Sequence, residues 1–233
     1  DIGGGTTDLA IFRDGIIRHT AVIPFGGNVI TEDIKEGCSI IEKQAELLKI
    51  KFGSAWPGEN KENEIVSIPG LRGREPKEIT LKNLSKIIHA RVVEIIEQVY
   101  VEIKNYGHEE QKKKLIAGIV LTGGGAQLKH LKQLVEYITG MDTRIGFPNE
   151  HLAGNSDDEV TSPLYATAVG LVMDGLKRQE RKKMEVAYEE SISEPEINEV
   201  EEQETIEEQP KPPKRSFLDK FSERIKDFLD NAE

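Results

Sequence analysis

The chain carries two runs of three glycines, and the residues around the first are of the types that handle phosphate. In Asp1-Ile2-Gly3-Gly4-Gly5-Thr6-Thr7-Asp8 three consecutive positions lack a Cβ, so the backbone can turn tightly and approach an anion. Successive N–H groups in such a turn can converge on phosphate oxygens. The hydroxyls of Thr6 and Thr7 add donors, and the carboxylates of Asp1 and Asp8 are suited to Mg²⁺ or a bound water. No Gly-Lys-Ser/Thr follows, and Leu9-Ala10-Ile11-Phe12 reads as a strand rather than a helix, which separates this loop from a P-loop. On these residues alone, a glycine hairpin with no ligand also stands.

The second run, Gly123-Gly124-Gly125, follows an apolar stretch of strand type over 115–122. After it a helical period begins with Leu128, Leu131, Leu134, Val135 and Ile138. Strand, triple glycine and helix make a second place where backbone can lie flat against a ligand, fit for its nucleoside end. An ordinary turn between strand and helix is the alternative.

The elements that must position these loops are readable in outline. Asp14-Gly15 is a hairpin signal between strands over 9–12 and 16–25, and Gly26-Gly27 opens a helix carrying Val29, Ile30, Ile34 and Cys38. A helix is expected over 40–52, and short strands over 64–69 and 78–80. The spacing of Leu84, Ile87, Ile88, Ile95, Val99 and Ile103 predicts a long amphipathic helix over 81–106, with Gly107 as its C-cap. A strand follows over 143–147. Ser162-Pro163 starts a last helix through 177, whose Ala166, Ala168, Val169 and Val172 suit close packing.

Composition bounds the function. The 233 residues carry a net charge of −11, which argues against nucleic acid as a partner, because neutralising phosphates needs a basic face. The lone cysteine, Cys38, excludes an intrachain disulfide framework. No apolar stretch approaches the length of a membrane-spanning helix. The five histidines show no metal-ligand spacing and read as surface or core residues. The chain opens with an aspartate inside a motif, and the expectation is that it is the C-terminal portion of a longer protein.

Residues 178–213 hold most of the acidity and end in Pro210-Lys211-Pro212-Pro213, the composition of a disordered linker. Beyond it, Phe217, Leu218, Phe221, Ile225, Phe228 and Leu229 form one stripe at helical spacing, with Arg224 among the cations beside it. A short amphipathic helix on a linker must bury its stripe elsewhere. An anionic lipid surface is the simplest place, and a partner protein or the chain's own domain are the alternatives. One copy would bind lipid weakly, and several copies joined in a polymer would hold firmly.

Together the two glycine clusters resemble those of the actin, Hsp70 and sugar-kinase superfamily, as its second phosphate loop and its adenosine loop. Phe25-Gly26-Gly27-Asn28-Val29-Ile30-Thr31-Glu32-Asp33-Ile34, Ala45-Glu46-Leu47-Leu48-Lys49, Lys51-Phe52-Gly53-Ser54-Ala55 and the 84–95 helix narrow the resemblance to the FtsA family of bacterial actin-like cell-division proteins. It runs from residue 1 to about 177 and resumes at the C-terminal tip.

The resemblance implies an α/β, actin/Hsp70-like ATPase fold. Residues 1–33 and 108–148 would be an RNase-H-like subdomain, and 34–107 a smaller α+β insertion. Residues 149–177 would return toward an N-terminal lobe, with 178–213 a linker and 214–233 a membrane-targeting helix. It implies ATP and Mg²⁺ as ligands. Gly3, Gly4, Gly5, Thr6 and Thr7 would embrace the phosphates, Asp1 would act on Mg²⁺ through water, and Gly26 and Gly27, at the entry to the next helix, would join the nucleotide-binding set. Glu46 and Lys49 would approach ribose and adenine, while Gly123, Gly124, Gly125 and Gln127 would flank the base. The implied role is a subunit that polymerises on the cytoplasmic face of the inner membrane at the division site. There it would tether the tubulin-like protein FtsZ, through the FtsZ C-terminal peptide and the small subdomain, and recruit later division proteins. Hydrolysis stays open, because in that superfamily the first phosphate loop and the water-activating residue lie upstream. A sugar or acetate kinase of the same superfamily is the alternative; it would leave the amphipathic tip unexplained.

Overall fold

The structure is a computed structural model. It describes residues 1–61, 63–70, 73, 75–107, 114–149 and 160–192. The elements run β1 (Thr7–Arg13), β2 (Ile16–Ile23), α1 (Gly27–Cys38), α2 (Glu42–Phe52), β3 (Ile65–Ile68), β4 (Lys77–Thr80), α3 (Leu81–Tyr106), β5 (Ile119–Leu121), α4 (Leu131–Thr139), β6 (Thr143–Ile145) and α5 (Ala166–Ile192). Short 3₁₀ turns lie at Pro57–Glu59, Gly124–Gln127 and Pro163–Tyr165. Residues 1–184 form one compact unit. A second begins at Glu185, and its described residues continue α5 to Ile192.

Among the described residues the strands pair as three two-stranded sheets, β1–β2 and β3–β4 antiparallel and β5–β6 parallel. The β1–β2 hairpin turns on Asp14 at φ 55° and Gly15 at φ 72°. Two successive positive φ values give the turn whose twist matches that of the flanking strands. The hairpin buries Ile11 and Ile23.

Helix α3 is set by a capping Thr80, whose Oγ1 accepts from Asn83 N at 3.3 Å, and by Gly107 at φ 96°. Its buried stripe, Leu84, Ile88, Val92, Ile95, Ile96, Val99 and Ile103, repeats at helical period. Each such side chain contributes about 1.5–3 kcal/mol when fully buried. The first five join the larger core cluster, with Ile30 and Ile34 of α1, Leu48 of α2, and Leu131, Leu134 and Val135 of α4. Val99 and Ile103 join a second cluster with Ile11, Ile23 and Met141.

Three sequence expectations are corrected. The strand placed over 115–122 spans only Ile119–Leu121. Gly118 lies at φ 74° in a turn with its N–H on the Leu115 carbonyl, and a Cβ there would meet Asp142 O at 2.1 Å. The helix expected from Leu128 begins at Leu131, because residues 128–130 leave helical geometry to pair with 54–55. The helix expected to end at 177 continues to Ile192, so the first part of the segment read as a disordered linker is helical. Residues 178–192 contain neither proline nor glycine and are rich in Glu, Lys, Arg and Gln, which favour helix without a packing partner.

The small apolar residues of α5 do not all find cover: Ala168 and Val172 are exposed, Ala166 and Val169 half-buried. The rest of the acidic segment, 193–213, and the whole membrane-binding set (Phe217, Leu218, Phe221, Arg224, Ile225, Phe228, Leu229) lie outside the described residues, as do His108 and His151. No helix among the described residues is long and apolar enough to cross a membrane.

Candidate functional site

The two glycine runs meet through Ile2. Its N–H donates to Thr122 O at 2.9 Å, and its carbonyl accepts from Gly125 N at 2.9 Å. The approach is close enough to require glycine. A Cβ on Gly125 would lie 2.3 Å from Ile2 Cγ2, and one on Gly123, at φ 84°, would lie 2.2 Å from Asp1 Oδ1. Gly123 N also donates to Pro163 O at 3.1 Å, which ties the second loop to the start of the last helical segment.

The first loop is held from behind by the N-terminus of α1. Gly27 N donates to Gly3 O at 2.8 Å and Asn28 N to Gly4 O at 2.7 Å. Gly26 fits there because a Cβ would meet Gly3 O at 2.6 Å. Thr7 is buried with its hydroxyl on Phe25 O at 2.8 Å, and Thr6 donates to the Asp8 carboxylate at 3.0 Å. Both hydroxyls therefore serve the loop's own shape. Gly3 N is taken by Thr6 O at 2.9 Å, whereas the exposed N–H groups of Gly4 and Gly5 have no partner among the described residues.

These loops and helices α1, α2 and α3 enclose a cleft of about 760 Å³. Ten sequence-predicted residues line it: Asp1, Gly3, Gly4, Gly27, Glu46, Lys49, Gly123, Gly124, Gly125 and Gln127. Gly5, Thr6, Thr7 and Gly26 are not in the lining; they shape or brace the loop. The lining also includes Asp8, Asn28, Ile50, Gly53, Leu128, Lys129, Leu164 and Thr167, and the hydrophobic floor is supplied by Ile30, Ile95 and Ile96.

Lys49 is the cation of the cleft wall that pairs with Glu46. Its Nζ lies 2.8 Å from Glu46 Oε2, and donates to Gly27 O at 2.8 Å and to Thr31 Oγ1 at 2.7 Å. Thr31 Oγ1 also lies 2.5 Å from Glu46 Oε2. Burial pushes the Glu46 carboxyl up, but hydrogen bonds from Lys49 and Thr31, with the lysine charge, outweigh it and leave the group below the usual carboxylate range. The cluster pins α2 to the first turn of α1, and so to the loop that α1 carries. Asp1 Oδ2 accepts from Thr167 Oγ1 at 2.8 Å, which orients its carboxylate at the same end of the cleft.

The sequence reading missed one part of this wall. Ser54 Oγ lies 2.9 Å from His130 Nδ1, Ala55 N donates to Lys129 O at 2.8 Å, and Ser54 bridges Lys129 in parallel. A lone serine and a lone histidine carry no local pattern, so spacing alone could not have paired them.

The family model for cell division protein FtsA matches residues 1–170. This chain belongs to the FtsA family. It is similar to the cell division protein FtsA of Pseudomonas aeruginosa, 38% identical over 179 residues that cover 77% of this chain and 42% of the relative. The FtsA of Neisseria meningitidis serogroup B is 40% identical over 172 residues, 74% of this chain and 41% of the relative. The chain thus spans about two fifths of the length of these FtsA relatives. Among solved structures, MreB5 of Spiroplasma citri bound to ADP superimposes with a TM-score of 0.59 at 25% identity, over 79% of this chain and 54% of that one. The fold is that of the actin-like ATPases.

Proposed function

We propose that the protein is an ATP-binding, actin-like cell-division subunit that couples filament assembly to a membrane surface. The observation that carries the nucleotide reading is the pair of glycine loops bonded through Ile2 at one end of a cleft of about 760 Å³. The free N–H groups of Gly4 and Gly5 take phosphate oxygens, as backbone donors in a turn do. The absence of Cβ atoms along Gly3–Gly5 lets the chain of phosphates lie against main chain.

The cleft suits Mg²⁺ at the same end, since Asp1 and Asp8 offer hard carboxylate oxygens beside the phosphate loop. Asp1, held by Thr167, would hold the ion through water, and the ion would supply charge neutralisation for the phosphates. Lys49 and Glu46 face the sugar, and Gln127 with the second loop flanks the base. The ADP named with the MreB5 structure supports nucleotide binding by this fold. Binding orders the cleft so that subunits can join, a structural use of ATP with at most slow turnover.

Membership of the FtsA family supports the cellular role. The segment 34–107 receives the C-terminal peptide of FtsZ, and the amphipathic stretch 216–231 lays its apolar stripe on anionic lipid at the cytoplasmic face of the inner membrane. The intact protein, given ATP and Mg²⁺, should bind nucleotide and pellet with anionic vesicles. Removal of 214–233 should abolish pelleting and leave ATP binding in place. No detectable ATP association would overturn the reading, and acceptor-dependent phosphoryl transfer that survives the truncation would favour a kinase instead.

A further inference from the structure

The cleft has two chemically different ends. Free amides and carboxylates gather at the glycine loop, where the phosphates belong. One helical turn beyond Lys49, the wall is Gly53, Leu128 and Lys129, with Ile50 beside them. A bare glycine with the side chains of Leu128 and Ile50, and the exposed Lys129 cation at their edge, suits a flat heterocycle with polar rim atoms.

That end is assembled from two segments far apart in sequence, the exit of α2 and the turn after the second glycine loop. Leu128 packs against Gly53 so closely that a Cβ on Gly53 would sit 2.8 Å from Leu128 Cδ1. Leu128 and Lys129 are held there by a small network. Ala55 N bonds Lys129 O, and the Ser54 hydroxyl meets His130 Nδ1 at 2.9 Å. Ser54 is itself fixed: Ser85 Oγ of α3 donates to Ser54 O at 2.8 Å, and Trp56 N donates to Ser54 Oγ at 3.3 Å. Ser54 is 1% exposed, so its hydroxyl meets protein rather than water.

His130 also adopts a backbone conformation that an ordinary residue avoids, φ 60° and ψ 12°, and it does so as the residue that opens α4. Few residues other than glycine adopt it, although histidine is among the more tolerant, as the Asp14 turn shows for aspartate. The ring contact with Ser54 fixes this turn, and residues 127–129 just before it line the cleft instead of continuing into the helix.

We infer that Ser54 and His130 form a positioning pair that sets the base-binding end of the cleft, so that they govern affinity for the nucleoside and leave the phosphate end untouched. The inference rests on the nucleotide-binding reading. Neither residue touches the ligand; each acts through Leu128 and Lys129.

The test compares ATP with inorganic tripolyphosphate, both with Mg²⁺, on the intact protein. Ser54→Ala removes the hydroxyl, and His130→Gly removes the ring while keeping the left-handed backbone free of strain. Each should weaken ATP about tenfold, which corresponds to about 1.4 kcal/mol, with tripolyphosphate affinity unchanged. The double variant should be no weaker than either single one, because both delete one bond. His130→Asn, which tolerates the same backbone and keeps a hydrogen-bonding group, should recover most of the loss. In the unsubstituted protein the ring ¹⁵N signals of His130 should move on adding ATP and stay still on adding tripolyphosphate, a readout that does not depend on any variant folding.

ATP affinity that is indifferent to both substitutions overturns the inference, and so does parallel loss of ATP and tripolyphosphate. A His130 signal that responds equally to the two ligands overturns it as well. Failure of the unsubstituted protein to bind ATP at all overturns the nucleotide reading and this inference with it; that result is visible before any residue is changed.

Discussion

Ile2 donates its backbone N–H to the carbonyl of Thr122 across 2.9 Å, which fastens the first glycine loop to the strand that leads into the second. Residues 120 apart are thereby joined, and the Gly125 N–H on the Ile2 carbonyl ties the second loop to the first. The nucleotide site follows from this contact more than from either glycine run alone.

Glycine substitutions should therefore sort by what surrounds each position. Gly125→Ala forces a methyl to within 2.3 Å of Ile2 Cγ2 and should cost about 1–3 kcal/mol, read as a lower midpoint of chemical unfolding. Gly5→Ala meets nothing within 4 Å and should leave that midpoint nearly unchanged. Equal losses at the two positions would show that the contact with Ile2 is not what constrains the loop.

The Glu46 cluster predicts an acid sensitivity with a definite sign. The native carboxyl lies below its ordinary value of 4.5, so its contribution to stability is fully present above about that pH. That contribution is lost as the pH falls through the lowered native value. Glu46→Gln should flatten the dependence of unfolding free energy on pH in the acid range. An unchanged slope in the variant would assign the acid loss to other carboxylates.

Arg91 clasps α3 to α1. Its Nε lies 2.6 Å from Asp33 Oδ2 and its Nη2 donates to Asp33 Oδ1 at 2.9 Å, a two-pronged pair that stacks 5.8 Å from the centre of the Phe25 ring. Lysine has one charged nitrogen and cannot reproduce the fork. Arg91→Lys should therefore cost about 1–3 kcal/mol in equilibrium unfolding, and Arg91→Ala at least as much. A lysine variant as stable as the parent would mean the fork carries no weight.

Burial pushes the Cys38 thiol up, against a smaller opposing effect of the Lys77 charge. Less thiolate and little access should make the native protein slow to alkylate near neutral pH. Denaturant should release the reaction in step with loss of helical circular dichroism. Rapid labelling of the folded protein would contradict the packing of Cys38 against α3's core cluster.

The sequence disclosed those elements whose signals are local and repeated. Helix α3 was legible over its full length, because the apolar stripe and the closing Gly107 agree. The Asp14-Gly15 turn was equally plain, since few residues tolerate two positive φ values. What stayed hidden depends on partners distant in the chain. Gly118 looks like a strand residue until the Asp142 carbonyl is placed against it. The delayed start of α4 is invisible without Ser54, 76 positions away from His130. Within the site, the glycines were readable as types, but not which of them face the cleft and which, like Gly26, serve as a backing plate. The late end of α5 escaped for the opposite reason: a charged composition was read as unstructured, although Glu, Lys and Arg are good helix formers.

The length of α3 carries a thermodynamic consequence. The stretch from Leu84 to Ile96 supplies the larger core cluster, and its last two turns supply Val99 and Ile103 to the smaller one beside the β1–β2 hairpin. A helix common to two cores cannot fray at one without exposing the end that seals the other. The hairpin and the helical layer should consequently unfold as a single foldon, giving one calorimetric peak and a shared hydrogen-exchange ceiling.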